Sequence, residues 1–209
     1  VKNHMHGFEN EMAHIRKQVS FEKAQSGFMV ADPLTLYDCC PTSDGASAVI
    51  LAADHVVRQF TDDPVWLRSS GAGSDYLALH DRPSITQVKA TQQASNAAYK
   101  AAGISANDID LAEVHDCFTI AEVVDSEDLG FFEKGKGVQA VREGKTKLNG
   151  EISINPSGGL KSKGHPIGAT GVGQVVEVFD QLTGKAGERT VKNAKIGLTQ
   201  NFGATGASC

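Results

Sequence analysis

Three short segments hold the residues best suited to chemistry. His115-Asp116-Cys117-Phe118 sets an imidazole two residues from a thiol, and Gly164-His165-Pro166 pins a second histidine inside a glycine-dense run from Asn155 to Gly171. Gln200-Asn201-Phe202-Gly203 opens a third, glycine-rich segment. A histidine between glycine and proline has little freedom to wander, and glycines let backbone amides approach a ligand closely. Two imidazoles and a thiol form an inventory for moving protons and for holding negative charge on oxygen. A free thiol titrates near about 8.5, and an adjacent histidine can draw it toward neutrality. Cys117 is therefore expected to be an acid/base, with His115 and His165 as N–H donors to an oxyanion. His165 is also a candidate for activating a nucleophile, and a helix opening near Ala169 would present its positive end.

These segments need a frame that brings them together, and the order of elements supplies one. Val65 to Ser70 reads as a strand; Ser84-Ile85-Thr86-Gln87 resembles a capping box opening a helix through Ala102, stopped by Gly103. Leu111 to Val114 is a strand, and Phe118 to Asp128 has helical spacing at Phe118, Ile120, Ala121 and Val124, continued at Leu129. Ile152 to Ile154 is a third strand. After the glycine run, Val172, Val175, Val176, Phe179 and Leu182 share one helical face, with Gly184 as the stop, and Lys195 to Thr199 is a fourth strand. Strands alternating with helices imply a layered α/β domain with crossovers. The loops beginning near His115, Asn155 and Gln200 then meet at one sheet edge, where open α/β sheets bind ligands. Upstream, residues 1–28 are polar and without period, a loop region leaning on something else. Asp32 to Pro41 is strand-like, Val49-Ile50-Leu51 reads as a buried strand, and Asp62-Asp63-Pro64 marks a break.

Composition limits the function classes. The chain has 209 residues, is 40% hydrophobic and carries a formal charge of -5 with no long basic cluster, so a nucleic-acid or membrane-surface role is disfavoured. No apolar run reaches the roughly 18 to 20 residues of a membrane span. Cys39, Cys40, Cys117 and Cys209 are too few, and two of them adjacent, for a disulfide framework, which points to a reducing cytoplasm. Neither C-x-x-C nor H-x-x-x-H spacing is present, so no metal site is expected, and the glycine run lacks both P-loop and G-x-G-x-x-G spacing. His4, His6, His14, His55 and His80 are read as structural, and Glu127, Asp128, Glu133, Lys134 and the stretch from Lys136 to Lys147 as solvated loop. The chain starts at Val1, as a fragment would.

Taken together, the run from Asn155-Pro156-Ser157-Gly158-Gly159 through Gly164-His165-Pro166 to Gly171, the His115-Asp116-Cys117-Phe118 loop, Lys2-Asn3-His4 and Asp32 to Ala46 resemble the thiolases. The likeness is to the sterol-carrier-protein-type and archaeal acetoacetyl-CoA branches and covers essentially the whole chain. It implies a thiolase-like fold, C-terminal half: a layered α/β structure with a central mixed sheet. Residues 62–209 would be the C-terminal thiolase domain. Residues 1–61 would be the tail of the loop domain (1–31) and the last piece of the N-terminal half (32–61).

The resemblance also implies roles. His115 stands where the common thiolases have the Asn of Asn-Glu-Ala-Phe. Asn201-Phe202-Gly203 departs from the Cys-x-Gly that usually carries the acid/base, and that thiol reappears as Cys117. Asn201, Gly203, Ser157 and Gly158 are expected at the oxyanion and substrate site. The implied activity is acyl-CoA acetyl transfer: condensation of two acetyl-CoA to acetoacetyl-CoA, or CoA-dependent thiolysis of a 3-oxoacyl-CoA. Coenzyme A thioesters are the substrates, with no further cofactor. Thiolases acylate a cysteine in a Cys-x-Ser context, and no such triplet occurs here. The expectation is that an N-terminal half supplies it. A half-thiolase that only assembles with a partner, or hands an intermediate to a downstream condensing enzyme, is the alternative; a decarboxylating condensing enzyme is a further one, against which Cys117 speaks. A homo-oligomer, dimer or tetramer, is expected. Ala207-Ser208-Cys209 is no peroxisomal address, though the resemblance leaves that compartment open.

Overall fold

A computed structural model describes all 209 residues. The chain begins with α1 (Lys2–Phe8) and α2 (Phe21–Gln25), followed by an antiparallel ribbon of β1 (Met29–Ala31) and β2 (Leu34–Thr35), and a short α3 (Asp54–Val57). The second part runs α4 (Lys89–Ala102), β3 (Leu111–Glu113), α5 (Thr119–Asp128), α6 (Gly137–Arg142), β4 (Ser153–Ile154), α7 (Gly159–Ser162), α8 (Thr170–Leu182) and β5 (Gly197–Thr199). β3 lies in the middle of a three-stranded sheet ordered β4-β3-β5, with both pairings parallel. Leu111 is aligned with Ser153 on one side and Gly197 on the other, so the loops after all three strands leave the same edge.

Alternating residues of β3 and its neighbours form the core. Ile109, Ala112, Val114, Leu129, Ile152 and Ile154 pack into one buried cluster, while Leu111, Val178 and Val191 make a second against α8. Burying one such branched side chain is worth about 1.5–3 kcal/mol, enough for this cluster to fix strand register.

Several expectations change. Val65 to Ser70 and Val49 to Leu51 form no regular element and join no sheet, and Ile50 is 97% exposed, because no neighbouring strand lies within these residues to pair or cover them. The sheet therefore has three strands, all parallel; antiparallel pairing is confined to the β1–β2 ribbon and to short bridges such as that of residues 73–75 with 207–209, where Gly73 and Cys209 exchange backbone bonds of 2.9 and 3.0 Å. Gly73 is required there, since a Cβ would lie 2.1 Å from the Ala90 carbonyl oxygen of α4. Helix α4 starts at Lys89, not at the Ser84 box: the Ser84 and Thr86 hydroxyls bond each other, and the Val88 amide donates to Asp128 at 2.6 Å. Asp128 is thus buried, and the charged stretch after it contains α6, so that region is not simply solvated loop. Residues 1–28 are not all loop either: α1 packs on α7 and buries Asn3, His4 and His6.

Helices α5 and α8 present an unexpected face to the core. The residues of α5 that are buried are Glu122, Asp125, Ser126 and Asp128; in α8 they are Thr170, Gln174, Glu177, Val178 and Gln181. Ile120, Val175 and Phe179, from the apolar stripes, are exposed by 58%, 39% and 40%. These three side chains point away from this core, whereas Leu129 and Val178 enter it.

Candidate active site

At the carboxyl edge of the sheet, β3 runs directly into His115 and β5 into Gln200 and Asn201. His165 follows α7 in the loop that leads to α8. The rings of His115 and His165 meet edge to face, centroids 4.9 Å apart, and Phe202 tilts over His115 at 4.6 Å. The Asn201 side chain reaches His115, with Oδ1 2.8 Å from Nδ1. Three loops expected to converge do so around these two imidazoles.

The ring protons can be assigned from fixed partners. Thr170 donates its hydroxyl proton to the Pro166 carbonyl at 3.0 Å, so its oxygen accepts from Nδ1–H of His165 at 2.7 Å. Neutral His165 therefore carries its lone pair on Nε2, the arrangement of a base. Burial lowers the pKa of His165, with the neighbouring His115 adding to the effect. Burial lowers that of His115 too, against the opposing bond from Asn201. Both rings are neutral at pH values above the ordinary imidazole range.

Cys117 is placed beside this pair in sequence but lives in a different environment. Its carbonyl accepts from the Cys40 amide at 2.9 Å, and no hydrogen bond joins its Sγ to either histidine. Burial pushes the thiol up to about 12, with Cys40 and Asp116 adding to it. Burial and these neighbours act against the draw toward neutrality that an adjacent histidine would exert. Cys39, Cys40 and Cys209 are raised as well, in each case chiefly by burial, so none of the chain's thiols sits where a thiolate is favoured.

Ser157 and Gly158 are turned inward. Ser157 is fully buried, donating its amide to Glu113 at 2.9 Å and its hydroxyl to the same carboxylate at 2.6 Å, while the Gly158 amide donates to the Asn155 carbonyl at 3.0 Å. Their donors hold the loop itself. The Gly203 amide is similarly taken by Ser208 at 2.9 Å.

Sequence reasoning missed the polar scaffold beneath the loops. Asn155, in the left-handed region at φ 54°, receives the Val114 amide on Oδ1 at 2.8 Å and donates Nδ2 to Glu122 at 2.8 Å. Asparagine tolerates that backbone conformation better than most residues. Glu122 also accepts from Asn3 at 2.6 Å and pairs with Lys2 at 3.0 Å. Burial works to raise the Glu122 carboxyl, but Lys2, Lys161 and these bonds outweigh it and hold it at about 2. Asp116 accepts from Asn3 at 2.5 Å and from the Leu160 amide at 2.6 Å. Burial raises its pKa to about 7, against the pull of Lys161. Lys2-Asn3 was legible as a motif, but its partners lie more than a hundred residues away. The five histidines read as structural have no place at the centre: His6 donates to the Asn155 carbonyl at 2.9 Å, His4 packs on Tyr37, and His14 bonds Ser43. His55 and His80 lie exposed beside Asp54 and Asp81.

No group of three or more His, Cys, Asp or Glu side chains is arranged to hold a metal ion, and no helix is long and apolar enough to cross a membrane. The family profile described as thiolase C-terminal domain-like matches residues 71–209, which include every loop of the site. The chain belongs to the thiolase family. It is 49% identical over 208 residues to an acetyl-CoA acetyltransferase of Methanothermobacter thermautotrophicus, covering 100% of this chain and 54% of that protein. To sterol carrier protein 2 of Homo sapiens it is 38% identical over 211 residues, 99% of this chain and 39% of that one. The chain thus spans about half, or less, of the curated thiolase relatives it matches. Among solved structures, one chain of an Ltp2-ChsH2(DUF35) aldolase superposes with a TM-score of 0.85 at 21% identity, over 95% of this chain and 52% of that one, a likeness of fold.

Proposed function

We propose that this chain is the C-terminal part of a thiolase acting as an acyl-CoA acetyltransferase, joining two acetyl-CoA into acetoacetyl-CoA or cleaving a 3-oxoacyl-CoA with coenzyme A. The observation that carries the reading is the His115–His165 pair, held edge to face at the carboxyl edge of the sheet with Asn201 bonded to one ring. The homologous acetyl-CoA acetyltransferase, matched along the whole of this chain, supports it. In thiolysis, Nε2 of His165 takes the proton of a cysteine thiol supplied by an N-terminal half. The thiolate adds to the 3-oxo carbon, the C2–C3 bond breaks, and its electron pair leaves as the acetyl-CoA enolate, which is protonated at Cα from the His115–Cys117 loop. The coenzyme A thiol then takes the acyl group and returns the enzyme thiol. Coenzyme A thioesters are the only substrates this chemistry asks for, and neither metal nor redox cofactor enters it.

The raised pKa of all four thiols supports a nucleophile outside residues 1–209. The outward-facing Ile120, Val175 and Phe179, with exposed Ile50, Trp66 and Leu67, fit an N-terminal half packed upon them and a homo-oligomer. The same faces favour a second reading, a half-thiolase that serves chiefly to assemble. Acetoacetyl-CoA thiolysis by the complete protein decides between them: turnover that His165→Ala removes supports the enzyme, and a stable assembly without turnover leaves only the assembly role.

A further inference from the structure

Arg82 lies outside the three site segments, yet its side chain bonds to one of them across 123 residues of sequence. The guanidinium is buried and donates three times: Nε to the Tyr76 carbonyl at 2.8 Å, Nη1 to the Thr205 carbonyl at 2.8 Å and Nη2 to the Thr205 hydroxyl at 3.2 Å. Thr205 passes its hydroxyl proton to the Leu77 carbonyl at 2.9 Å, so the two segments are bonded in both directions. Charge contributes little to this hold. Asp75 Oδ2 stands 3.9 Å from Nε, and that carboxylate is taken by the amides of Tyr76 at 2.8 Å and Lys89 at 3.2 Å. The clamp rests on the planar fork of donors that arginine alone carries.

The turn it grips is strained and carries none of the core. Ala204 stands at φ 52° and Gly206 at φ 88°, both left-handed, and alanine keeps that conformation only where its surroundings impose it. Gly203, Ala204 and Thr205 are exposed, and no residue of 200–209 enters either buried cluster. After the turn, residues 207–209 pair with 73–75, the Asp75 amide donating to the Ala207 carbonyl at 2.8 Å. Before it stand Asn201, bonded to both His115 and Gln174, and Phe202, tilted over the His115 ring. A displaced turn therefore moves these two side chains and leaves the core alone.

Resting on the thiolase reading above, we propose that Arg82 is a positioning residue of the site: by clamping the 203–207 turn it fixes where Asn201 and Phe202 stand against His115. It acts through the turn and takes no part in proton transfer. A misplacement of about 1 Å at a site can cost about 100-fold in rate, so a loosened turn registers in turnover.

The test is acetoacetyl-CoA thiolysis by the complete protein, with kcat and KM read separately and thermal melting followed on the same samples. Assayed well below its melting temperature, Arg82→Met is expected to lower kcat about tenfold or more and to leave KM for coenzyme A within about threefold. Arg82→Lys keeps the charge without the fork and should behave like Arg82→Met. Thr205→Val removes one acceptor of the clamp; it lowers kcat about threefold or more by itself and adds nothing in the Arg82→Met background, since both break one unit. A folded Arg82→Met protein with kcat within about twofold of wild type overturns the proposal, as does full recovery in Arg82→Lys or a fully additive Thr205→Val. Should Arg82→Met not fold, Thr205→Val decides: reduced kcat in the folded variant upholds the clamp, and unchanged kcat overturns it. A wild type without turnover defeats the proposed function and this inference with it.

Discussion

The ring of His165 stands at 88° to that of His115, with centroids 4.9 Å apart, and each ring is held from behind at Nδ1 by an oxygen that can only accept from it. The two imidazoles are thus matched: each neutral, each with Nε2 as the basic atom.

For His165 the holding oxygen belongs to Thr170, whose own proton goes to the Pro166 carbonyl. Thr170→Val removes the acceptor and frees the ring to change tautomer. Thiolysis is expected to fall about tenfold or more, with about 1 kcal/mol of stability lost, while Thr170→Ser keeps both. Steady-state kinetics and thermal melting of the complete protein check the pair.

Glu122 joins Lys2, Asn3 and Asn155 under the loops. Its carboxyl is held at about 2 in the folded state against a free value of 4.5, so the stability it supplies is complete above the free value and is lost as pH falls from there toward 2. Glu122→Gln leaves Lys2 without its buried partner and costs about 3–5 kcal/mol at neutral pH. Urea unfolding across acid pH should show the gap between wild type and variant closing through that window.

Both ring nitrogens of His4 are buried without a hydrogen bond, and its ring stands edge-on to Tyr37 at 5.4 Å. Burial, with the nearby amino terminus and Lys161, lowers its pKa from 6.5 to about 4. The unfolded chain binds that proton more readily, so stability is lost as pH falls from 6.5 toward 4. His4→Phe keeps the aromatic edge contact and removes the unbonded nitrogens. It should raise the melting temperature, and by more at about pH 5 than at about pH 8.

Gly159 sits at φ +62°, and a Cβ there would lie 2.4 Å from the Asp116 carboxylate. Gly159→Ala should cost at least the roughly 1–2 kcal/mol of left-handed strain and displace the loop that carries His165. Thermal melting reads the first effect and thiolysis by the complete protein the second.

Much of the frame is visible in the sequence because its signals are local. Gly103 in the left-handed conformation ends α4, the alternation around Ala112 and Val114 marks β3, and Gly164-His165-Pro166 marks a loop held at one point. The strand proposed at Val49 to Leu51 fails because a strand needs a neighbour, and none lies within these residues. The stripe of α8 misleads for the same reason: Val175 and Phe179 have the right period, yet Gln174 and Gln181 face the core. Periodicity reports that a face is covered, not by what. The scaffold of Asn3, Glu122 and Asn155 is unreadable because its members meet only after folding, and each alone looks like an ordinary solvent-facing side chain.

The central claim is that the chain shares in acyl-enzyme chemistry with a cysteine it does not itself contain. The most direct measurement is to mix the complete protein with acetoacetyl-CoA, quench with acid and locate the acetyl group by peptide mass spectrometry. The account predicts an acetyl thioester on a cysteine outside residues 1–209, lost in His165→Ala. Acetylation of Cys39, Cys40, Cys117 or Cys209, or no acetylation while acetoacetyl-CoA is consumed, would contradict it.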